Sequence, residues 1–323
     1  MGCLRFFLAM VVFDFHYLLI ATDSVPNSFL AVYSFFIVSG FLMSMVLTEK
    51  YCGQTSRFYL GRALRLYPTY WIVVFACIFL SRAGIIEQGF AAMDWNRIFI
   101  FPKALWLNLT FDTERATDTQ FLAQIYTVAL EMMFYAIAPL IVRLELPNLI
   151  FAFGIAVIFH FVPYWLELPS RQWQYEFFPG TLMFFFAGVL AYRLYGASRC
   201  WRYPSVIGWL ALIPIGGYWL VFDSAYGYDN DWRPIGYTAL VAISIPFLFR
   251  ASKDSRLDRF IGDLSYPLYV VHPLAIWLVW GAIGHGKHDF EKPITLFVAF
   301  ALSTALAVLV DRPIDRRRQP ARH

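Results

Sequence analysis

The sequence predicts an all-α, polytopic membrane protein with about ten transmembrane helices and both termini in the cytoplasm. Of the 323 residues, 59% are hydrophobic and 15% are charged, whereas soluble domains carry about 25% charged residues. Apolar segments long enough to cross about 30 Å of hydrocarbon recur along the whole chain. The basic residues lie between these segments, so the net charge of +4 indicates membrane topology rather than nucleic-acid binding.

Ten apolar segments account for the predicted helices in chain order. The third segment and the proline-bearing seventh, eighth and ninth are the least regular, and proline is tolerated in membrane helices when neighbours satisfy the freed carbonyl groups. The first segment has no small-residue cleavage site after its apolar part, so we expect it to be retained. The ten segments lie near residues 4–22, 28–47, 67–83, 121–143, 148–165, 177–195, 203–222, 233–250, 264–282 and 292–310.

The distribution of basic residues predicts the orientation of these segments. With the N-terminus inside, 18 of the 26 Lys and Arg residues fall on the cytoplasmic side and 8 on the outer side, as the positive-inside rule requires. The long connection 84–120 and the acidic loop 223–233 then face outward. The basic tail 312–323 is too short to fold and is expected to contact anionic lipid. We predict one membrane domain over 1–323, with no fused soluble domain.

The first segment, LRFFLAMVVFDFHY, carries three ionisable residues. Arg5 and His16 are eleven residues apart, which at about 100° per residue places both on one helix face, roughly 16 Å apart along the axis. Asp14 is about 200° around the helix from His16 and does not share its face. Ionisable groups inside membrane segments are usually functional, although Arg5 can also serve as a topology anchor and His16 as a hydrogen-bonded residue of the bundle.

Two arginines precede the third apolar segment, in SRFYLGRALRLYPTYW. Arg62 and Arg65 are three residues apart, so on a helix they are neighbours near the cytoplasmic surface. Adjacent guanidinium groups suit a phosphate or pyrophosphate ligand, while lipid headgroups and membrane topology are the alternatives. In the second segment, Ser39 and Gly40 allow close helix packing.

Glu131 lies in the middle of the fourth segment among apolar neighbours, where a carboxylate requires a partner or stays protonated. The available partners include His16 and Arg5. His272, in the ninth segment, has a structural and a functional interpretation, whereas His160 beside aromatic residues suits a structural role. The four cysteines and the remaining His and carboxylate residues have no metal-binding or redox spacing, so we expect no metal site.

Five motifs in this order resemble the acyltransferase-3 family, polytopic bacterial enzymes that acylate sugars, exopolysaccharides, lipids and some small molecules. They are LRFFLAMVVFDFH, FFIVSGFL, FYLGRALRLYPTYW, YTVALEMMFY and IGDLSYPLYVVHPL. The resemblance spans nearly the whole chain. It implies ten helices in the bacterial inner membrane, an acyl-CoA donor that enters from the cytoplasm, and an essential histidine in the first helix.

The resemblance also assigns individual residues. His16 takes the position of the essential histidine and Arg5 that of the first-helix arginine, while Arg62 and Arg65 match the family's paired arginines. The resulting catalytic candidates are His16, Arg5 and Glu131; the acyl-CoA-binding candidates are Arg62, Arg65, Tyr70 and Ser39; and the secondary candidates are His272 and Asp14.

Glu131 matches the glutamate of the family's Trp-Ser-Leu-x-x-Glu segment, in which Tyr126 here replaces Trp and Thr127 replaces Ser. Asp14 is not expected from the family pattern. Some members carry a fused esterase-like domain that completes transfer outside the cell. This chain has none, so transfer must be completed within the membrane domain or by a separate protein.

Two classes of function follow. In an acyltransferase, neutral His16 would act as a general base on a hydroxyl that attacks the thioester of acyl-CoA, most simply acetyl-CoA. The acceptor would be a sugar, an exopolysaccharide or another envelope glycan or lipid-linked saccharide. A transporter or lipid flippase would instead use His16, Glu131 and Arg5 as an ion relay. Such transporters often have inverted repeats, which are absent here, and the resemblance favours the enzyme.

Overall fold

The computed structural model describes residues 1–21, 29–86, 122, 126–169, 171–197, 204–222, 233–284 and 290–318. These ranges are helical and contain no strand, as the all-α prediction requires. The helices are α1 (Gly2–Ala21), α2 (Phe29–Met45), α3 (Thr55–Arg82), α4 (Tyr126–Ile141), α5 (Leu146–Trp165), α6 (Phe178–Ala197), α7 (Pro204–Leu210), α8 (Leu212–Phe222), α9 (Arg233–Ser252), α10 (Arg256–Ile283), α11 (Glu291–Leu306) and α12 (Arg312–Arg318). Short π-helical turns occupy Val46–Lys50, Arg171–Glu176 and Ala307–Asp311.

Seven helices in the described ranges are long and apolar enough to cross a membrane, and two further apolar helices are shorter. Each of the ten apolar segments predicted from the sequence overlaps a helix. The prediction of an all-helical chain with several helices able to span a membrane is therefore confirmed, while the count of ten and the cytoplasmic position of both termini stay predictions. The seven helical stretches are Phe29–Lys50, Thr55–Arg82, Leu146–Trp165, Phe178–Gly196, Ile235–Ser252, Arg256–Ile283 and Glu291–Arg316.

Three local features differ from the sequence-based boundaries. The third helix begins at Thr55 rather than near residue 67, because Pro68 is accommodated inside α3 instead of opening it. The predicted helix 203–222 is broken after Leu210. Pro214 has no amide hydrogen, so the Leu210 carbonyl, four residues earlier, lacks its usual helical hydrogen bond. The prediction that the tail does not fold is wrong for 312–318, which continue as α12.

α2 and α6 form the most extensive helix pair of the described residues. A Cβ atom on Gly40 would lie 2.1 Å from the Phe185 carbonyl oxygen, and one on Gly188 would lie 2.0 Å from the Ile37 carbonyl oxygen. The two backbones therefore touch at this crossing, which is possible only without side chains. The expectation that Gly40 permits a close helix approach is confirmed.

α1 packs lengthwise against α10. The Asp258 carboxylate on α10 accepts hydrogen bonds from the amides of Gly2 at 2.8 Å and Cys3 at 2.9 Å. These amides lie in the first turn of α1, where they lack partners within the helix. Asp258 thus fixes the start of α1 and places Arg5 and His16 along the face of α10.

The outer helices of the bundle present apolar side chains to their surroundings. Phe151 on α5 is 72% exposed, Phe297 on α11 is 74% exposed and Leu309 is 74% exposed. Such exposure suits a lipid environment. Two features predicted to face outward lie largely outside the described residues: the connection 84–120 beyond residue 86, and the acidic loop 223–233 before residue 233.

Candidate active site

A cavity of about 300 Å³ opens between α1, α2, α3, α4 and α10, next to the ends of these helices that are predicted to be cytoplasmic. Five of the nine candidate residues line it, although they are far apart in the sequence. They are Arg5, Ser39, Arg62, Arg65 and Glu131.

Three arginines and one lysine supply positive charge to this cavity. Arg62 and Arg65 lie one turn apart on α3, as the spacing predicted, and Lys50 joins them from the π-helical turn after α2. The Arg62 guanidinium is held among aromatic rings, 5.8 Å from the centroid of Phe58 and 5.9 Å from that of Tyr135. Its Nη1 also donates to Met43 Sδ at 3.7 Å, so the guanidinium is held at the cavity wall.

Arg5 enters the same cavity from α1. Its Nη2 donates a hydrogen bond of 2.8 Å to Ser265 Oγ, and that hydroxyl donates to the Gly262 carbonyl oxygen at 2.7 Å. Electrostatic interactions also connect Arg5 with Arg65 and Glu131. The first-helix arginine therefore belongs to the cationic cluster formed with Arg62, Arg65 and Lys50.

Glu131 is held by two hydroxyl groups. Its Oε1 accepts a hydrogen bond from Ser39 Oγ at 2.6 Å and another from the Tyr135 hydroxyl one turn further along α4. The His16 ring bonds instead to the Val12 carbonyl oxygen. The structure therefore places Glu131 with Ser39 and Tyr135 rather than with His16. Ser39 has a polar role in addition to its place at the α2–α6 crossing.

His16 lies deeper along α1 and is not among the described residues that line the cavity. Its Nδ1 is 2.8 Å from the Val12 carbonyl oxygen. Because a carbonyl oxygen can only accept a hydrogen bond, Nδ1 carries the proton in the neutral ring and Nε2 carries the lone pair. His16 is partly exposed. In this tautomer, Nε2 is the nitrogen that can accept a proton.

The partner of His16 is His272 on α10, with ring centroids 4.9 Å apart and planes inclined by 44°. Tyr269, one turn before His272, lines the cavity and lies edge-on to the His272 ring at 6.1 Å. The Tyr269 hydroxyl shares a hydrogen bond of 2.6 Å with Thr127 Oγ1. Tyr269 thus contacts both the cavity and the His272 ring.

Two other candidates lie away from the cavity. Asp14 forms an ion pair with Lys292, with Oδ1 and Nζ 2.5 Å apart, and both side chains are substantially exposed. Tyr70 is buried beside Trp71 and is not among the described cavity-lining residues. His160 is buried, and its Nδ1 lies 2.7 Å from the Gly180 carbonyl oxygen, which suits the structural role expected from its aromatic neighbours.

Sequence reasoning missed several cavity residues. Tyr135 follows Glu131 by four residues, a spacing that could have identified it as a helical neighbour. Lys50 was assigned to topology alone, and Tyr269 had no polar or charge pattern to single it out. Within the described ranges, no group of three His, Cys, Asp or Glu residues has a geometry suited to a metal ion.

Comparison with known proteins agrees with the resemblance seen in the motifs. A family model described as an acyltransferase domain matches residues 1–312. The chain belongs to the acyltransferase-3 family. The match covers every candidate residue, so the cavity and the histidine pair both lie within the matched region.

Two named relatives match most of this chain. ORF330 of Acidianus two-tailed virus, a candidate acetyltransferase by name, is 25% identical over 273 residues, covering 83% of this chain and 76% of the relative. The exopolysaccharide production protein ExoZ of Rhizobium meliloti (strain 1021) is 23% identical over 317 residues, covering 89% of this chain and 90% of ExoZ. No solved structure matches the chain.

Proposed function

We propose that this acyltransferase-3 protein moves an acyl group, most simply acetyl, from acyl-CoA to a hydroxyl of a sugar, an exopolysaccharide or another envelope glycan or lipid-linked saccharide. The donor would enter from the cytoplasmic face of the bacterial inner membrane. Acyl transfer itself follows from the family. The names of the two relatives, one an acetyltransferase and one an exopolysaccharide production protein, support the acetyl donor and the glycan acceptor.

The charge balance of the cavity carries the proposal for the donor. Arg5, Lys50, Arg62 and Arg65 line it, against one carboxylate among the described lining residues, Glu131, which is already engaged by two hydroxyl groups. Asp263, outside the lining, interacts with Arg5 and Arg65, so the cations still outnumber the carboxylates. An excess of cations at a partly buried site suits an anionic ligand. The phosphates of CoA match such a site, because guanidinium groups bind phosphate oxygens through forked, charge-assisted hydrogen bonds.

The size of the cavity limits which part of the donor it can hold. At about 300 Å³ it is at the lower end of the range for small-ligand pockets, about 300–1,000 Å³. We therefore assign the nucleotide phosphates to the part of the cavity lined by the four cations, and the thioester arm to the rest of the cavity. The arm would extend past Tyr269 toward His16, which is roughly 16 Å further along α1 than Arg5. This distance favours phosphate binding by Arg5 over a role at the reacting carbonyl.

In the proposed reaction, the lone pair on His16 Nε2 takes the proton of the acceptor hydroxyl as its oxygen attacks the thioester carbonyl carbon. The carbon–sulfur bond then breaks, and the same proton passes to the departing thiolate of CoA. The tautomer set by the Val12 carbonyl leaves Nε2 unprotonated in the neutral ring, as a base requires.

The test is a thiol-release assay on the purified protein in lipid nanodiscs. We expect free CoA thiol to appear from acetyl-CoA only when an acceptor glycan is added, together with mass-labelled acetyl esters on that glycan. Succinyl-CoA and longer acyl-CoA donors, run in parallel, identify the acyl group. A folded protein that neither binds acyl-CoA in calorimetry nor releases thiol with any donor and glycan pair would overturn the proposal.

A further inference from the structure

Lys50 marks the opening of the cationic cavity. Of the described residues that line this cavity, Lys50 is the only one that is exposed. The other three cations lie further in: Arg62 is 7% exposed, and Arg5 and Arg65 are half-buried. The four positive charges are therefore arranged by depth, with the ammonium group at the opening and the guanidinium groups inside.

The π-helical turn after α2 holds Lys50 at this position. The Tyr51 amide closes the turn by donating to the Val46 carbonyl oxygen at 2.9 Å. The Lys50 Nζ lies 5.5 Å from the centroid of the buried Tyr51 ring. A cation above an aromatic ring spends no hydrogen-bond donor on a lone pair, so the ammonium keeps its three N–H groups for a ligand.

No carboxylate in the described part of the chain forms an ion pair with Lys50. The nearest carboxylate in the sequence, Glu49, accepts a hydrogen bond of 3.2 Å from the Tyr192 hydroxyl on α6 instead. A lysine whose charge is not already neutralised can pair with an anion that enters the cavity.

The chemistry of CoA supplies anions in a fixed order. A pyrophosphate joins the thioester arm to adenosine, and a separate phosphate monoester lies on the ribose 3′-oxygen, further from the thioester. This monoester carries about −1.5 to −2 charges at pH 7. When the thioester arm occupies the inner part of the cavity, the pyrophosphate follows it and the 3′-phosphate comes last. That order places the monoester at the opening.

The side-chain types match the same order. Guanidinium forks bind the oxygens of a pyrophosphate in pairs, which suits Arg62 and Arg65 inside the cavity. An ammonium group is a compact charge on a flexible stem, so it can follow a terminal phosphate that stays in contact with water. Lys50 is the residue of this kind among the described lining residues.

We propose that Lys50 binds the 3′-phosphate of the donor and makes the site selective for CoA thioesters over thioesters of 3′-dephospho-CoA. The inference rests on the proposed function and deepens it, because it divides the phosphates of the donor between two groups of cations. Lys50 contributes to recognition of the donor and takes no part in the bonds that form and break.

Calorimetric titration of the purified protein in nanodiscs with CoA and with 3′-dephospho-CoA tests this assignment. We expect the wild-type protein to bind CoA about 5–20-fold more tightly, between the contributions of an exposed ion pair and of a charge-assisted hydrogen bond. Lys50→Met should reduce this preference to less than twofold, with the affinity for 3′-dephospho-CoA unchanged. Lys50→Arg should keep the preference, and Lys50→Glu should reverse it because like charges repel.

Two further variants serve as controls. Lys253→Met removes another exposed lysine, after α9 and outside the described cavity lining, and should leave both affinities unchanged. Arg62→Ala should weaken binding of both nucleotides by the same factor, because both contain the pyrophosphate. The exposed position of Lys50 makes its variants suitable for direct comparison, and equal melting temperatures verify that they fold.

Three results would overturn the inference alone: a wild-type protein that binds the two nucleotides equally, a Lys50→Met variant that loses affinity for both, or a preference that Arg62→Ala abolishes and Lys50→Met retains. The first of these is also the result expected if Lys50 serves only membrane topology or lipid headgroups. A folded wild-type protein that binds neither nucleotide would overturn the proposed function, and this inference with it.

Discussion

Ser39 on α2 donates its hydroxyl hydrogen to the Glu131 carboxylate on α4 across 2.6 Å. The bond joins two helices at the wall of the cationic cavity and leaves Tyr135 as the second donor to the same oxygen. A carboxylate inside a membrane bundle is stable when hydroxyl groups replace its lost hydration. Ser39 thereby connects the packing of α2 to the electrostatics of the site.

Removing that hydroxyl tests the connection. We expect Ser39→Ala to lower stability by about 1–2 kcal/mol, because hydrogen bonds to charged groups contribute about 1.5–3 kcal/mol whereas interhelical bonds in membranes average about 0.6 kcal/mol. Thermal unfolding in detergent measures the loss. Ser44→Ala is the matched control, since the Ser44 hydroxyl bonds only to the Gly40 carbonyl of its own helix at 2.8 Å. Equal melting temperatures for the two variants would contradict the assignment.

Arg62 and Arg65 are expected to bind the phosphates of the donor. Replacing either by Ala should weaken acyl-CoA binding by about 1.5–3 kcal/mol, and Lys should restore it only partly, since an ammonium lacks the fork. Calorimetric titration with CoA measures both effects. Arg57→Ala provides the control, because Arg57 is exposed on the same helix and its Nη1 donates to Gln54 Oε1 at 2.9 Å. Unchanged affinity for CoA in the double alanine variant would indicate that the two arginines contribute to membrane topology instead.

His16 is expected to be the general base. His16→Ala should leave a folded protein that still binds acyl-CoA, because the cationic cavity is intact, while turnover falls by about 10²–10⁴. His16→Gln should fail nearly as badly, since an amide cannot take up a proton at neutral pH. Thiol release, donor affinity and thermal stability distinguish this from a structural role. A fully active His16→Gln enzyme would rule out the catalytic assignment.

The α2–α6 crossing should not tolerate a methyl group. Gly188→Ala places Cβ 2.0 Å from the Ile37 carbonyl oxygen, and overpacking of this kind costs about 1–3 kcal/mol. Gly196→Ala, later on the same helix, meets no atom within 4 Å and should leave the melting temperature unchanged or slightly higher. If Gly188→Ala melted at the wild-type temperature, the close backbone contact would not exist in the membrane.

Ten spans with both termini inside predict the location of the C-terminus. A fluorescent protein fused after His323 should fold and fluoresce, because it stays in the cytoplasm, whereas alkaline phosphatase fused at the same point should be inactive. Fusions after an outer residue such as Lys292 provide the reverse control. Phosphatase activity at His323 would contradict ten spans with both termini inside.

Much of the bundle was predictable because hydropathy determines where helices form. Each of the ten apolar segments overlaps a helix in the described residues, and the three-residue spacing of Arg62 and Arg65 correctly made them neighbours. The boundary of α3 was not predictable, since Pro68 and the preceding arginines resemble a loop, whereas the structure places all of them inside the helix. The break after Leu210 accompanies Pro214, whereas Pro68 stays inside α3, and a hydropathy pattern does not distinguish these two outcomes.

The individual residues of the site were predictable from the sequence, whereas their arrangement in space was not. Arg5, Ser39, Arg62, Arg65 and Glu131 were all candidates, and they do line one cavity. Their partners were not predictable, because contacts between helices depend on rotation about each helix axis. The sequence therefore left His16 as a possible partner of Glu131, whereas α1 and α10 together place it against His272.

The backbone contact at Gly188 has a consequence for interpreting mutant libraries. α6 contributes no described residue to the cavity, yet it holds the segment of α2 that presents Ser39 to Glu131. A screen scored only by product formation would therefore record substitutions at Gly188 as loss of catalysis. Their origin would be a displaced helix rather than altered chemistry, so such a screen requires a parallel measurement of folded protein before any residue of α6 is assigned to the reaction.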